Sequence, residues 1–258
     1  MKFVRYQDQQ SDEPRYGVLD GTRVYRAGGD PFTGLHQEDA IGEVSSVNLL
    51  APISPGKIVC VGLNYAAHVT ERDATRKIPD EPVIFMKPPA AVIGPGQAIE
   101  IAYLDHETHY EAEIAVVIGK TARDVAQDRA LDYVLGYTCG NDVSDRFLQG
   151  KDGQWVRAKG FDTYCPLGPC IATEIDLGSA KVESRLNGEV RQSATSAEMI
   201  FSIPFLISFI SGVMTLDPGD VIMTGTPHGV GPLKPGDVIE VEIGGVGTLR
   251  NPVTARTR

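Results

Sequence analysis

The chain is poor in several of the features that mark particular protein classes. Among its 258 residues there are four cysteines, Cys60, Cys139, Cys165 and Cys170, and no pair has C-x-x-C spacing. That argues against a zinc knuckle or a thioredoxin-like redox motif, and predicts reduced, mostly buried thiols. No run of Lys or Arg interrupts an acidic balance of −10, so neither nucleic acid nor an anionic membrane is an expected partner. Long apolar runs are also missing. The most apolar stretch, Met199 to Met214, is broken by Ser202, Pro204, Ser208 and Ser211 and is too short to span a bilayer. The N-terminal MKFVRYQDQQSDE has no apolar centre and carries early acids, which disfavours a secretory signal and makes a cytoplasmic location the expectation.

What is plentiful is turn chemistry. Twenty-eight glycines and 17 prolines suggest many short strands joined by tight turns. KFVRYQ, RYGVLD and TRVYRA read as a small meander, turning at Asp20-Gly21 and at Gly28-Gly29, with residues 30–56 irregular. Lys57 to Val61 reads as a buried strand. A helical turn follows over Tyr65 to Arg72, capped by Asn64. The polar, Pro-bounded stretch 73–82 reads as a loop that closes over a site. PVIFMKPP and Tyr110 to Ile118 read as strands, and ARDVAQDRALDYVLG has helical spacing through Val125, Ala130, Leu131 and Val134. Asn187-Gly188 predicts a hairpin, and Ser202, Pro204 and Gly212 delimit a helix. Pro218-Gly219-Asp220 and Pro235-Gly236-Asp237 each lead into an apolar strand. The fold class expected is β-rich α+β, without the regular alternation of a Rossmann or TIM fold.

Candidate chemistry centres on acids. Glu111 and Glu113, two apart on a strand, place both carboxylates on one face, where they repel unless a cation or basic group lies between them. Asp142 ends another apolar strand. Three such oxygen donors suit a hard cation, Mg²⁺, Mn²⁺ or Ca²⁺, and leave about three positions of an octahedron for water or substrate. The plainer readings are a solvated strand edge for the glutamates and an Asx-turn for Asp142. His68 and Glu71, three apart on a helical turn, form either a carboxylate-oriented general base or a surface pair. Lys159 can neutralise surplus negative charge or hold an enolate oxygen, and Arg146 can clamp a carboxylate, although solvent exposure is the default for both. The loop TGTPHGVG presents backbone amides to an anion but is neither a Walker A nor a GxGxxG motif. His36, His106, His109 and His228 read as structural or solvent-facing.

Taken together, VGLNYAAHVTE, FMKPPAAVIGPG, HYEAEIAVVIGK, GYTCGNDVSDRFLQ, KDGQWVRAKGFDTYCPLGP, LNGEVRQ and LDPGDVIMTGTPHGVG resemble, in this order, the fumarylacetoacetate hydrolase superfamily, in particular its short bacterial acylpyruvate hydrolases and oxaloacetate decarboxylases. The resemblance implies a mixed β-sandwich roll with a small N-terminal β domain over residues 1–55, a catalytic domain over 56–258, and a homodimer. It implies Mg²⁺ or Mn²⁺ held by Glu111, Glu113 and Asp142. Lys159 matches the active-site lysine, His68 and Glu71 the lid dyad, and Arg146, Gln149 and Thr226 substrate-contacting positions. It further implies metal-dependent C–C hydrolysis of a 2,4-dioxo acid to pyruvate and a carboxylic acid. Oxaloacetate decarboxylation or isomerisation of a 2-hydroxyhepta-2,4-diene-1,7-dioate on the same site, in aromatic catabolism, is the alternative. A non-enzymatic metal- or metabolite-binding β-protein is the reading from another class. Two departures stand out. His109 replaces an Asp common before the YE-x-E strand, and SDRFLQ replaces SARDWQ, so Asp145, Phe147 and Leu148 alter the wall facing the distal half of the substrate.

Overall fold

Seven consecutive residues, Ala112–Ile118, form a strand buried on both faces, which explains why its sequence, Glu113 apart, is continuously apolar rather than alternating. Ile114, Val116 and Ile118 join one cluster with Val182, Val241 and Ile243 and with Ile203, Leu206, Ile207 and Ile210 of the helix Ile203–Val213. Ala115 and Val117 join a second cluster with Phe3, Ile58, Ile171 and Val221. The computed structural model describes residues 1–8, 12–71 and 73–257.

Among the described residues the strands form three sheets. The largest runs in the order Gly34–Glu43, Arg23–Asp30, Pro14–Asp20, Lys2–Gln7, Cys165–Ala172, Val134–Asn141, Ala112–Ile118, Val221–Met223, Ile58–Gly62 and Val83–Lys87. Two short strands, Leu49–Leu50 and Val92–Ile93, pair onto it off this path. The pairing is mixed, since Val221–Met223 runs parallel to Ile58–Gly62 while its other neighbour is antiparallel. A five-stranded sheet contains the hairpin Lys181–Leu186 and Glu189–Thr195. Asn187 and Gly188 both take positive φ there, 53° and 83°, as an Asn-Gly turn requires. The third sheet is small and joins Ser144–Asp145, Thr108–Tyr110 and Gly231–Pro232. This mostly β architecture is the one the sequence predicts. All four cysteines are buried free thiols. No helix among the described residues is long and apolar enough to cross a membrane.

Several local expectations are corrected. Gly28-Gly29 is not a turn. The strand Arg23–Asp30 passes through it and pairs with Gly34–Glu43, so residues 30–56 contain a ten-residue strand. A Cβ on Gly28 would lie 2.4 Å from the Glu38 and His36 side chains, so the glycine serves close strand approach. Asn64 does not cap the helix Ala66–Thr70. Its Nδ2 donates to Thr224 O at 2.8 Å and Phe201 O at 3.0 Å, and its Oδ1 accepts from Phe201 N at 2.7 Å. The helical spacing over residues 122–136 yields only a 3₁₀ turn, Gln127–Tyr133, with Leu131 exposed and Val134 already in the next strand. Gly212 lies inside the helix Ile203–Val213 rather than ending it.

Candidate active site

The site forms where two sheets part. Thr108–Tyr110 belongs to the small sheet and Ala112–Ile118 to the large one, and Glu111 sits between them. Its amide donates to Asn141 Oδ1 at 2.9 Å, while Asp142 N donates to Glu111 O at 2.9 Å. A side chain thus replaces a ladder partner where the chain changes sheets. This brings Glu111, Glu113 and Asp142 together, with ligand atoms of all three within 4.8 Å of one another and all three residues buried.

Basic groups surround the triad. Lys159 Nζ donates to Asp142 Oδ2 at 2.5 Å and Glu111 Oε2 at 2.9 Å. Its ammonium lies 4.6 Å from the Phe85 ring centroid and 5.9 Å from that of Trp155, so aromatic faces supply part of its environment. Arg146 Nη2 donates to Glu111 Oε1 at 2.5 Å and Nη1 to Gln149 Oε1 at 2.8 Å. Lys87, which sequence reasoning missed, is 1% exposed and donates to Asp142 Oδ1 at 2.6 Å and Val143 O at 3.0 Å. The signal for it was period-two register on the strand Val83–Lys87, which puts Lys87 on the same side as Phe85.

Electrostatics separates the three acids. Burial pushes the Glu111 carboxyl up, but the Arg146 and Lys159 charges outweigh it and hold Glu111 below the usual carboxylate range. Burial, then the facing Asp142 and Glu111, push Glu113 well above that range. Burial acts to lower the Lys159 ammonium, yet Asp142 and Glu111 prevail and raise it. Glu113 forms no ion pair with any described residue and accepts only from Gly225 N, at 2.8 Å. Gly225 has φ 96°, and a Cβ there would lie 2.7 Å from Asn64 Cβ, so the loop must carry glycine to bring this amide in. A buried carboxylate facing two others with no cation in direct contact, in an all-oxygen donor set, fits a hard divalent cation. Arg146 Nε and Asn141 Nδ2, on two side chains that bond Glu111, are buried without hydrogen-bond partners.

The remaining candidates line the same space. His68, Arg146, Gln149, Lys159 and Thr226 border one cavity of about 360 Å³ with the triad. His68 Nδ1 lies 2.9 Å from Glu71 Oε2, and Gly229 N donates to Glu71 Oε1 at 2.8 Å. Glu71 therefore stands behind the imidazole rather than in the cavity wall. Thr226 spends its hydroxyl proton on Ala112 O at 2.9 Å and accepts from Gln192 Nε2 at 2.8 Å, a buried partner that sequence reasoning also missed. Of the other histidines, His36 and His228 are exposed, while His109 is buried beside Glu107. His106 Nδ1 meets Asp145 Oδ2 at 2.6 Å, and Asp145 Oδ1 accepts from Leu148 N, capping the helix Arg146–Asp152 that carries Arg146 and Gln149.

Residues 57–254 match the family described as fumarylacetoacetate (FAA) hydrolase C-terminal, and residues 1–52 match the one described as Rv2993c-like, N-terminal. The chain is 42% identical over 223 residues to oxaloacetate tautomerase YisK of Bacillus subtilis (strain 168), covering 81% of this chain and 74% of that protein. The structure of 2-hydroxyhepta-2,4-diene-1,7-dioate isomerase from Mycobacterium marinum superposes with a TM-score of 0.90 at 39% identity over 100% of both chains. Maleylpyruvate hydrolase from Sphingobium sp. SYK-6, solved with manganese(II) and pyruvate, gives 0.82 at 30% identity over 100% of both chains. This chain is an enzyme of the fumarylacetoacetate hydrolase family.

Proposed function

We propose that the chain catalyses enol chemistry on a 2-oxo acid, moving a proton at C3 to interconvert its keto and enol forms. One observation carries this reading: a single cavity is lined by the carboxylate triad, Lys159 and His68, whose imidazole is backed by Glu71. A divalent cation, Mg²⁺ or Mn²⁺, at Glu111, Glu113 and Asp142 would polarise the 2-oxo group and offset the negative charge that develops as C3 loses its proton. The Glu71 carboxylate against Nδ1 fixes the imidazole tautomer, leaving Nε2 with the lone pair that accepts the C3 proton and later returns it. Lys159, held between Asp142 and Glu111, supplies a fixed positive charge beside the developing oxyanion. Arg146 orients Glu111 and Gln149, and Gln149 contacts the substrate. Lys87 holds the second oxygen of Asp142 and so fixes the orientation of that carboxylate.

The same base can take a proton from water instead. Hydroxide attack on the distal keto carbon of a 2,4-dioxo acid then cleaves the C3–C4 bond, giving pyruvate and a carboxylic acid. Resemblance to the maleylpyruvate hydrolase supports this second reading, and the greater identity to the tautomerase supports the first. The test is a parallel assay on oxaloacetate and acetylpyruvate with Mg²⁺ or Mn²⁺, following enol absorbance and pyruvate release. Metal-dependent enol loss from oxaloacetate without pyruvate is the expected result. Pyruvate from acetylpyruvate selects hydrolysis, and pyruvate from oxaloacetate selects decarboxylation. No metal-dependent change on either substrate contradicts the proposal.

A further inference from the structure

A second cavity, of about 550 Å³, opens among the N-terminal strands and is larger than the one at the acidic centre, about 360 Å³. The two share no described lining residue. The walls of the second come from Lys2–Gln7, Arg23–Asp30, Gly34–Glu43 and the turn Val44–Ser46 that follows.

The backbone is irregular where it borders this space. Val24 pairs with Gly42 and Tyr25 with Ala40, so Ile41 is an extra residue in its strand. Ala27 then pairs with Gln37, so Glu38 and Asp39 together stand opposite Arg26. Two bulges thus fall within five residues of one strand, and such bulges bend a strand and re-aim side chains. Ile41 and Arg26, one at each bulge, both line the cavity.

Arg26 is half-buried and makes no hydrogen bond or ion pair with any described residue, Glu38 and Asp39 included. Burial pushes the Tyr6 phenol up, and the nearby Arg26 is the charge that opposes this most. Tyr6, Ala40, Ile41 and Val47 give the cavity apolar surface beside that guanidinium. Asp8 also lines it, but Arg15 Nε lies 2.8 Å from the Asp8 carboxylate and offsets its charge. One uncommitted planar cation beside apolar walls suits a single carboxylate on an apolar body, because guanidinium binds carboxylate through two parallel N–H bonds.

We propose that this cavity is a second ligand site, which takes a small organic monocarboxylate with its carboxylate on Arg26 and its apolar body against Tyr6, Ile41 and Val47. Since no described lining residue is shared, this site and the acidic centre stand or fall separately.

The test is a fluorine NMR titration with 4-fluorobenzoate, and with the uncharged 4-fluorobenzamide as comparison. EDTA is present throughout, so that no metal can hold a carboxylate at the acidic centre. Saturable binding of 4-fluorobenzoate is expected, at least about tenfold tighter than that of the amide and weaker as salt is raised. Arg26→Gln should weaken it about tenfold or more, Arg26→Lys should retain part of it, and Ile41→Glu, which sets a like charge in the cavity, should abolish it. Arg26 has no side-chain bond to lose and Ile41 is 38% exposed, so the variants should fold, and an unchanged melting temperature checks this. No saturable binding up to about 10 mM, equal binding of the amide, or an affinity that stays within about twofold in Arg26→Gln overturns the proposal.

Discussion

The Glu71 carboxylate accepts the Gly229 amide at 2.8 Å, a contact across 158 residues of sequence, and its other oxygen faces His68 Nδ1 at 2.9 Å. The short helix that carries the dyad is therefore fastened to the Gly-rich loop that also delivers Gly225 N to Glu113. Base and acidic triad are held by the two ends of one loop. That linkage fixes where the imidazole stands relative to the acidic triad, which is what the proposed proton transfer demands.

His68→Ala should therefore lower kcat by about 10²- to 10⁴-fold on the substrate that is turned over, the usual worth of a positioned base. Glu71→Gln keeps an oxygen for Gly229 N but loses the charge behind the imidazole, and should lower kcat by about tenfold. Mn²⁺ affinity should stay within about twofold in both variants, since neither residue belongs to the triad. Steady-state kinetics with a parallel metal titration checks this, and a kcat within about twofold of the original in His68→Ala contradicts it.

Lys87 is buried against a buried carboxylate. Lys87→Met fills the space but leaves Asp142 with Lys159 as its remaining cation. The expected cost is about 2–3 kcal/mol, or a melting temperature lower by roughly 5–10 °C for a chain of this size. Mn²⁺ should narrow the gap, because a cation at the triad replaces part of the missing charge. Thermal unfolding in EDTA and in Mn²⁺ measures both quantities. An equal gap in the two conditions contradicts the placement of the metal beside Asp142.

Asp145 acts on the site through a helix. It is fully buried, caps Leu148 N at 2.9 Å and pairs with His106 at 2.6 Å, and it precedes Arg146 directly. Asp145→Ala should remove a cap worth about 1 kcal/mol and let Arg146 and Gln149 drift. KM is expected to rise several-fold, with a smaller fall in kcat, while Asp145→Asn, which keeps the cap oxygen, should show a milder change. A fall in kcat with KM unchanged would place Asp145 in the chemistry rather than in positioning.

Much of this was legible from local chemistry. The apolar run Ile114–Ile118, the Asn187-Gly188 hairpin and the Pro-Gly-Asp turns announce themselves because their causes lie within a few residues. So do Glu111 and Glu113, whose spacing of two in an extended segment already implies convergence. What was hidden depends on partners far along the chain. Gly34–Glu43 is a mostly exposed edge strand whose sequence, GLHQEDAIGE, has no clean alternation. Lys87 reads as a surface residue until Asp142, 55 residues away, is brought beneath it. Asn64 has the chemistry of a helix cap, but Thr224 and Phe201 claim its side chain. Gln192 and the His106–Asp145 pair are likewise defined by contacts that only the folded sheets create.

The most direct test of the central claim is a calorimetric titration of EDTA-treated protein with Mn²⁺. Saturation at one ion per chain, weakened more than about tenfold by Glu113→Gln, is the predicted result. Absence of saturable binding, or binding untouched by Glu113→Gln, would contradict a metal centre built on Glu111, Glu113 and Asp142.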